Sequence, residues 1–315
     1  MTFPVKEAAI SAEDTPFSLY WLDNTHVLFR GFTGAERGPG KEVRLLDLGF
    51  YVWDIEHDTV TKDARFEHGG PVCINGHTKS YILSYSLDGK TSKRRAFVGG
   101  QEISLSDQVW VNPISCRAST TEPPWVVKGR AIRPLLEEHG YLDRGIFGED
   151  RRSKLPILYY RTGVTQPISL GLQSRHVEPL VTYYPFADAY LIKGEQTTPD
   201  APPLWLLHPD GTLEQIFSPE GKAWAQIGWT QFLLTKRGLF FISRRHPGLG
   251  DIGQAGLYSV QGTKASRVLE TVMSWAIVSP DGCKLAFIKD RWDPNLRADE
   301  RYRLQVIDVC QGPSK

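Results

Sequence analysis

Long hydrophobic runs are absent from this sequence of 315 residues, and no apolar stretch reaches the roughly 20 residues needed to cross a bilayer. An excess of charge of one sign is also absent, because 37 basic residues face 36 acidic residues and the formal net charge is +1 at pH 7. This balance gives no indication of a nucleic-acid or membrane-surface partner. We therefore expect a folded protein with no membrane span and no nucleic-acid partner.

A signal peptide is not predicted, because the first ~30 residues lack a basic segment followed by an apolar run. The polar residues 6–14 would also suit a mature exported protein whose signal has been replaced by an initiator methionine. The compartment is therefore open, and the periplasm or cell envelope is expected only if a signal was removed.

Cysteine is scarce, with only four residues: Cys73, Cys116, Cys283 and Cys310. No C-x-x-C pair is present, so neither a structural zinc site nor a thioredoxin-like motif is supported. The simplest interpretation is four buried cysteines that act as small hydrophobic residues. Alternatively, a hairpin of strands 284–290 and 303–309 would place Cys283 opposite Cys310, and a disulfide there would indicate an oxidising compartment.

Motifs of catalysis and nucleotide binding are also missing. No Gly-x-Ser-x-Gly elbow and no His-Glu-x-x-His helix occurs. Residues 248–253 match the dinucleotide fingerprint by letters but lead into a strand rather than a helix. The acidic residues in the segment 290–300 lack the spacing of an EF-hand loop, so we interpret it as a solvated loop.

Short runs of β-branched and aromatic residues, separated by Gly, Pro, Asn and Asp, dominate the rest of the chain. Almost no stretch has a 3.6-residue period, so the sequence predicts an all-β fold. The best helical candidate is a turn or two at 132–139, which Pro134 keeps short.

A two-strand unit recurs with a period of about 50 residues, the signature of a β-propeller. Its aromatic-rich strand begins near residues 50, 95, 157, 204, 256 and 304. A second recurring strand precedes it in most units, for example at 239–242 and 285–288. This pattern predicts four-stranded blades.

The segment 279–287, Ser-Pro-Asp-Gly-Cys-Lys-Leu-Ala-Phe, resembles the repeat signature of the WD40-like repeat family found in TolB-type propellers. Pro-Asp-Gly is a strong turn former between two strands. The segments 21–29 and 74–82 are weaker copies. The resemblance implies a propeller fold and, as in TolB-type proteins, a role in protein–protein contact; it does not imply an activity.

We predict a single propeller of six four-stranded blades. The expected blades span residues 17–66, 70–105, 106–172, 174–218, 222–271 and 272–311. The N-terminal strand 5–10 is expected to supply the fourth strand of the last blade and to close the ring. Residues 112–155 contain few clear strands, so blade three is expected to be irregular.

Long connections between second and third strands should crowd one face, and such insertions often mark a binding surface. We call this the long-loop face. Its candidate binding residues are Phe32, Arg37, Arg244, Arg245, Arg291, Trp292, Arg297 and Arg301. Arginine and tryptophan are enriched among interface anchors. The alternative is that neighbouring acidic residues neutralise the arginines and leave a merely solvated surface.

The connections between blades should lie nearer the axis on that face and bring ionisable groups around a channel mouth. The set comprises Glu67, His68, Asp107, Gln108, Arg175, His176, Glu178, Glu220 and Lys222. Imidazole and carboxylate groups bind divalent metals or act as general acids and bases. Propellers similar in repeat type include lyases that act on acidic sugars with a metal in such a mouth.

These observations give two functional expectations. The first is a non-catalytic scaffold or binding protein that needs no cofactor and engages a protein partner through the long-loop face. The alternative is a metal-dependent carbohydrate lyase or hydrolase with a divalent metal ion and an oligosaccharide ligand. Its catalytic residues would be His68, Asp107, His176 and Glu178, with His68 and His176 as metal ligands.

Overall fold

The computed structural model describes residues 3–14, 18–37, 43–66, 69–85, 93–98, 101–105, 110–128, 130–146, 155–173, 177–194, 202–218, 231–243, 255–262, 264–291, 296 and 298–311. These residues form 28 β-strands, numbered here in chain order, one single-turn α-helix, α1 (Ala298–Arg301), and two short 3₁₀ helices, Ala64–Phe66 and Pro185–Ala187. The predicted all-β class is confirmed. No helix in this part of the chain is long and apolar enough to cross a membrane.

The chain divides into two compact units. The first comprises Met1–Pro71, Tyr85–Thr91 and Ile227–Lys315, and the second comprises Val72–Ser84 and Ser92–Gln226. Neighbouring strands in both units pair antiparallel. Their order follows the chain except at the N-terminal strand and at a hairpin inserted in one connection, which is the pattern of up-and-down meanders.

An eight-stranded sheet in the first unit contains two groups of four strands. One group consists of β2 (Leu19–Trp21), β3 (His26–Phe32), β6 (Gly49–Asp54) and β7 (Thr59–Lys62). The other consists of β26 (Val272–Val278), β27 (Lys284–Asp290), β28 (Tyr302–Asp308) and β1 (Val5–Ala12). A separate hairpin, β4 (Gly34–Arg37) and β5 (Val43–Leu46), lies in the β3–β6 connection.

The N-terminal strand β1 joins these two groups. Val5 pairs with Ile307 and Lys6 with Val306 on β28, so the N-terminal residues supply the fourth strand of that group as predicted. Ser11 and Ala12 continue the pairing onto β3. One strand from the start of the chain therefore occupies an edge that the end of the chain would otherwise leave unpaired.

A further four-stranded sheet completes the first unit: β22 (Gln231–Thr235), β23 (Gly238–Ser243), β24 (Gly256–Gln261) and β25 (Lys264–Leu269). First strands of successive groups lie side by side. Gln231 on β22 donates from Nε2 to the carbonyl of Ala276 on β26 at 2.8 Å, and Trp21 on β2 donates from Nε1 to Ile277 at 3.1 Å. Adjacent first strands are what successive propeller blades require.

The second unit contains three four-stranded sheets and a short hairpin. The first sheet, whose first residues belong to the other unit, is β8 (Gly69–Asn75), β9 (Ser80–Tyr85), β10 (Lys93–Val98) and β11 (Gln101–Ser104). The hairpin is β12 (Trp110–Val111) and β13 (Ala118–Ser119). The second sheet is β14 (Arg130–Pro134), β15 (Gly140–Ile146), β16 (Pro156–Arg161) and β17 (Ile168–Gln173), and the third is β18 (Val177–Tyr184), β19 (Ala189–Gly194), β20 (Leu204–Leu207) and β21 (Leu213–Phe217).

Burial explains why the second strands of the groups could be recognised as apolar runs in the sequence. Four successive residues of β27, from Leu285 to Ile288, are fully buried, and β19 and β23 show similar runs. A strand covered on both faces reads as a continuous apolar run. In outer strands such as β21, buried and exposed residues are mixed, because one face of the strand is in contact with solvent.

The repeat-like segment 279–282 forms the predicted turn between β26 and β27. Ser279 Oγ accepts from the Lys284 N–H at 2.8 Å, and the Gly282 N–H donates to the Ser279 carbonyl at 2.8 Å. Gly282 has a φ of 76°, a left-handed conformation that glycine adopts at little cost.

One expectation about the second unit is wrong. Residues 132–139 do not form helix: 130–134 are strand β14, paired with β15, and 137–139 form the turn between them. Leu135 and Leu136 in this segment are buried by packing against neighbouring strands. The described residues of 112–155 contain only the strands β13, β14 and β15, which fits the expectation of few clear strands there.

The expectation of four free buried cysteines is also wrong, because the structure contains two disulfide bonds. Cys283 is bonded to Cys310 with 5.1 Å between Cα atoms, which is the predicted pair, and Cys73 is bonded to Cys116. The predicted hairpin register was one residue out, since Asp290 pairs with Tyr302 rather than Arg303. The reason is that β28 begins one residue earlier than expected.

Candidate functional site

Four of the eight candidate binding residues of the long-loop face lie outside the described residues, namely Arg244, Arg245, Trp292 and Arg297. Arg37 ends β4, but its side chain is also outside the described part of the structure. For these positions the binding role stays a prediction.

The described candidates of that face are buried or paired. Phe32 is only 2% exposed, and its backbone pairs with β1. Arg291 donates to Glu7 Oε1 at 3.0 Å, and Arg301 donates to both carboxylate oxygens of Asp290, at 3.1 and 3.3 Å. Both arginines thus have carboxylate partners, which was the alternative considered from the sequence.

The predicted channel-mouth set also falls outside the described residues at His68, Asp107 and His176. Glu178 lies on β18, but its side chain is not described. Within the described ranges, no group of three or more His, Cys, Asp or Glu side chains is placed to hold a metal ion. The metal and catalytic roles of His68 and His176 therefore stay predictions.

A polar pocket of about 240 Å³ lies in the second unit, at the end of the strands where first strands turn into second strands. We call it the turn pocket. Its lining residues are Asn75, His77, Thr78, Ser115, Arg117, Leu136, Glu137, Glu138, His139, Tyr183 and Asp188. They come from the β8–β9, β12–β13, β14–β15 and β18–β19 connections and from the ends of strands β8 and β18 that lead into them.

His139, one of the lining residues, is held in place by two tyrosines. Its Nδ1 lies 2.8 Å from the Tyr190 hydroxyl, and its carbonyl accepts from the Tyr159 hydroxyl at 2.7 Å. Tyr190 Oη already accepts a hydrogen bond from the Leu136 N–H at 2.9 Å, so we assign the tyrosine O–H as the donor to His139 Nδ1. In this arrangement Nδ1 is an acceptor, and the ring N–H of His139 is at Nε2.

The Nε2 of His139 faces Asp188 across a gap of 4.0 Å, too long for a direct hydrogen bond. Tyr183 Oη donates to Asp188 Oδ1 at 2.8 Å and so fixes the orientation of that carboxylate. Asp188 itself has a left-handed φ of 43° and closes the short turn Pro185–Ala187. A polar ligand atom or a water molecule can bridge the gap.

The opposite wall is fixed by Ser115, whose hydroxyl donates to Glu137 Oε1 at 2.5 Å. The amide of Asn75 donates to the Ile114 carbonyl at 2.9 Å, and the buried amide of Asn112 donates to the Leu135 carbonyl at 2.6 Å. These side-chain bonds tie three successive connections together, so the wall is formed before any ligand arrives.

A disulfide reinforces the same wall. Cys73 on β8 is bonded to Cys116, which lies between the lining residues Ser115 and Arg117. Cys116 has a φ of 57°, a strained conformation for a residue with a side chain, and its backbone N–H donates to the Asn112 carbonyl at 2.9 Å. The covalent bond therefore restrains a tight loop at the pocket.

The two phenols beside His139, those of Tyr183 and Tyr190, have raised pKa values. Burial is the main cause of the raised pKa of Tyr183, and its hydrogen bond to Asp188 and the charges of Asp188 and Glu138 raise it further. The pKa of Tyr190 is also raised, first by burial, against the lowering effect of the Leu136 N–H, with a further contribution from Glu138. Both phenols stay protonated and act as hydrogen-bond donors.

Sequence reasoning missed this pocket because it looked for a site at the opposite ends of the strands. The residues of the β14–β15 turn, Glu137 to His139, were assigned to a helix, and the segment containing His77 was treated only as a weak repeat copy. The sequence signal that could have indicated the pocket is the repeated occurrence of His, Glu and Asp in the turns between first and second strands.

No protein-family model matches this chain, and no curated protein matches it. Among solved structures, an oligogalacturonate lyase in complex with manganese is 12% identical with a TM-score of 0.48, covering 98% of this chain and 96% of that one. An oligogalacturonate lyase from Vibrio parahaemolyticus is 10% identical with a TM-score of 0.40, covering 100% and 99% of the two chains. TolB from Acinetobacter baumannii is 11% identical with a TM-score of 0.29, covering 97% of this chain and 55% of its own. No residue role in this chain follows from these similarities.

Proposed function

We propose that this chain is a six-bladed β-propeller, closed by β1, that works as a non-catalytic binding protein for a protein partner. The support for the propeller is the set of six four-stranded antiparallel groups among the described residues and the contacts between first strands of neighbouring groups in the first unit. A repeat-like turn at 279–282 adds to this support.

The turn pocket is the observation that carries the binding role. Its walls are connected by hydrogen bonds and a disulfide, so little conformational entropy is lost when a ligand is bound. The pocket has about 240 Å³, below the roughly 300–1,000 Å³ of pockets for drug-sized ligands. This volume suits a single side chain of a partner better than a whole oligosaccharide.

An oxidising compartment, such as the periplasm or cell envelope, fits the same proposal. Two disulfides, Cys73–Cys116 and Cys283–Cys310, form between cysteines distant in sequence, and such bonds persist outside the reducing cytosol. The long-loop face remains a second proposed contact surface, with Arg245 and Trp292 as its proposed anchors.

Site-specific photo-crosslinking tests the binding role. A benzoylphenylalanine at position 77 on the pocket rim should crosslink one partner protein from an extract of the source organism, and the same probe at the exposed position 56 should not. The purified partner should then bind the Glu138→Arg variant at least tenfold more weakly. Equal crosslinking from both positions, or unchanged binding by the variant, contradicts the proposal.

Metal analysis provides the opposing test. Protein purified without chelator or metal-affinity tag should contain no stoichiometric divalent ion and should not cleave acidic oligosaccharides. A stoichiometric metal that is lost in a His68→Ala, His176→Ala variant, together with cleavage, would instead establish the lyase alternative.

A further inference from the structure

The charge of the turn pocket restricts what it can bind. Three carboxylates line it, from Glu137, Glu138 and Asp188, against the single guanidinium of Arg117. Among the side chains that line the pocket, carboxylates therefore outnumber guanidinium groups by three to one. The lining therefore carries a net negative charge, which disfavours an anionic ligand and favours a cation.

Two of these carboxylates, those of Asp188 and Glu138, are exposed to solvent. The Asp188 side chain is 63% exposed, and Glu138 is exposed as well, so neither must be desolvated before a ligand approaches. Tyr183 donates to Asp188 Oδ1 and holds the carboxylate beside the pocket.

Glu137 adds a requirement for hydrogen-bond donors. Its Oε1 accepts from Ser115, but its buried Oε2 has no hydrogen-bond partner among the described residues, and neither has the buried hydroxyl oxygen of Thr78. Buried polar atoms are usually satisfied by protein or water. A ligand with several N–H groups can supply donors that the pocket lacks.

We propose that the turn pocket binds a basic side chain, arginine or lysine, of the partner protein. This inference rests on the proposed binding function and specifies its chemistry. The cation pairs with Glu138 and Asp188 at the entrance, and its N–H groups face the acceptors of Glu137 and Thr78. The small volume admits one side chain, and Arg117 opposes the cation.

Titration with Nα-acetyl-arginine methylamide and Nα-acetyl-lysine methylamide, followed by NMR of the full chain, tests the proposal. At least one should shift the resonances of His77 and His139 with saturable binding, weakened by salt. The neutral citrulline analogue should bind at least tenfold more weakly. Equal binding of the citrulline analogue overturns the proposal.

Variants locate the charge effect. Glu138→Gln and Asp188→Asn should each weaken binding of the cationic analogue by about threefold to fivefold, as expected for exposed charge pairs. Arg117→Gln should strengthen it. The matched control Glu122→Gln changes an exposed carboxylate outside the pocket and should have no effect. An equal loss of affinity in Glu122→Gln contradicts the assignment of the cation to the turn pocket. Melting temperatures of the variants equal to that of the wild type exclude unfolding as the cause of a loss.

Two further outcomes separate this inference from the function it rests on. Crosslinking of a partner at position 77 without binding of either cationic analogue refutes the basic side chain but leaves the binding function intact. If free spermidine binds tightly and no protein is crosslinked at position 77, the pocket binds a free polyamine. That result refutes the proposal of a protein partner.

Discussion

Cys73 and Cys116 are bonded to each other across 43 residues of sequence, with 5.5 Å between their Cα atoms. The bond links the first strand of one sheet to the loop that carries Ser115 and Arg117 into the turn pocket. One covalent contact therefore stabilises the fold of the second unit and also the geometry of its candidate site.

Replacing this pair should destabilise the protein. For a loop of this length, loss of the cross-link increases the entropy of the unfolded chain and costs about 4 kcal/mol in the chain-entropy estimate. We expect Cys73→Ser, Cys116→Ser to lower the free energy of unfolding by roughly 2–4 kcal/mol, measured by urea denaturation. The same variant should weaken binding of the arginine analogue, because the pocket wall is no longer restrained.

The pair Cys283 and Cys310 is the matched control for this effect. Its separation is 27 residues and it lies in the other unit, so the double serine variant should lose stability but keep the affinity of the pocket. A thiol count on the unreduced, denatured wild-type protein should find no free thiol among the four cysteines. Four free thiols would contradict both bonds.

The fold was predictable from the sequence where a buried strand appears as a continuous run of apolar residues. Strand β27 is buried on both faces, and its apolar run and the preceding Pro-Asp-Gly turn identify it from sequence alone. A fourth strand supplied by the N-terminal residues was predicted because the last group otherwise lacks one, and Val5 pairs with Ile307 on β28. Local preference failed at 132–139, where tertiary packing selected a strand and a turn.

The turn pocket was not predictable in the same way. His139 and Tyr190 are 51 residues apart, and Asn75 and Ile114 are 39 apart, so each contact exists only once the sheets are placed. No local pattern encodes such a distance. The acidic and histidine residues could be seen in the turns, but their convergence could not.

Loss of the Tyr190 hydroxyl should destabilise the second unit. Tyr190 is fully buried, and its Oη accepts from the Leu136 N–H and contacts His139 Nδ1. Tyr190→Phe leaves a buried N–H without a partner, which costs about 1–3 kcal/mol. Equilibrium denaturation measures this, and the NMR signals of the His139 ring should also shift.

Tyr183→Phe is the matched control for that change. The Tyr183 hydroxyl bonds to Asp188, whose side chain is 63% exposed and can be solvated by water instead. The loss of stability should stay below about 1 kcal/mol. If both tyrosine variants lose equal stability, the assigned role of the Tyr190 hydroxyl is wrong.

Gly31 is required for β1 to pack against β3. A Cβ at Gly31 would lie 2.6 Å from the backbone carbonyl of Ser11, a contact that can be relieved only by moving one strand. We expect Gly31→Ala to lower the free energy of unfolding by about 1–3 kcal/mol. Gly49 pairs directly with Gly31, but a Cβ there would meet only the flexible end of Lys62. Gly49→Ala should therefore lower the free energy of unfolding clearly less than Gly31→Ala does, when both variants are compared by urea denaturation. Equal losses would contradict the close approach of β1 to β3.

The turn that follows β6 should give the protein a defined pH dependence through Asp54 and His57. The His57 Nδ1–H donates to Asp54 Oδ2 at 2.6 Å, which, with backbone N–H groups, lowers the pKa of Asp54 from 3.8 to about 2. The same hydrogen bond raises the pKa of His57 above 6.5, and the charges of Asp54 and Glu56 add to the rise. His26 also faces Asp54, with its Nε2 at 3.6 Å from Oδ2.

Because the folded pKa of Asp54 is depressed, its contribution to stability is present above pH 3.8 and is lost as the pH falls towards 2. Because the folded pKa of His57 is raised, its contribution is complete below pH 6.5 and is lost as the pH rises through the folded value. The stability of the wild type relative to Asp54→Asn should therefore be greatest between about pH 4 and 6.5 in thermal melts. NMR titration should show the pKa of His57 falling towards 6.5 in Asp54→Asn and falling less in Glu56→Gln, which keeps the hydrogen bond. A His57 pKa that is equal in the wild type and Asp54→Asn would show that the pair does not form in solution.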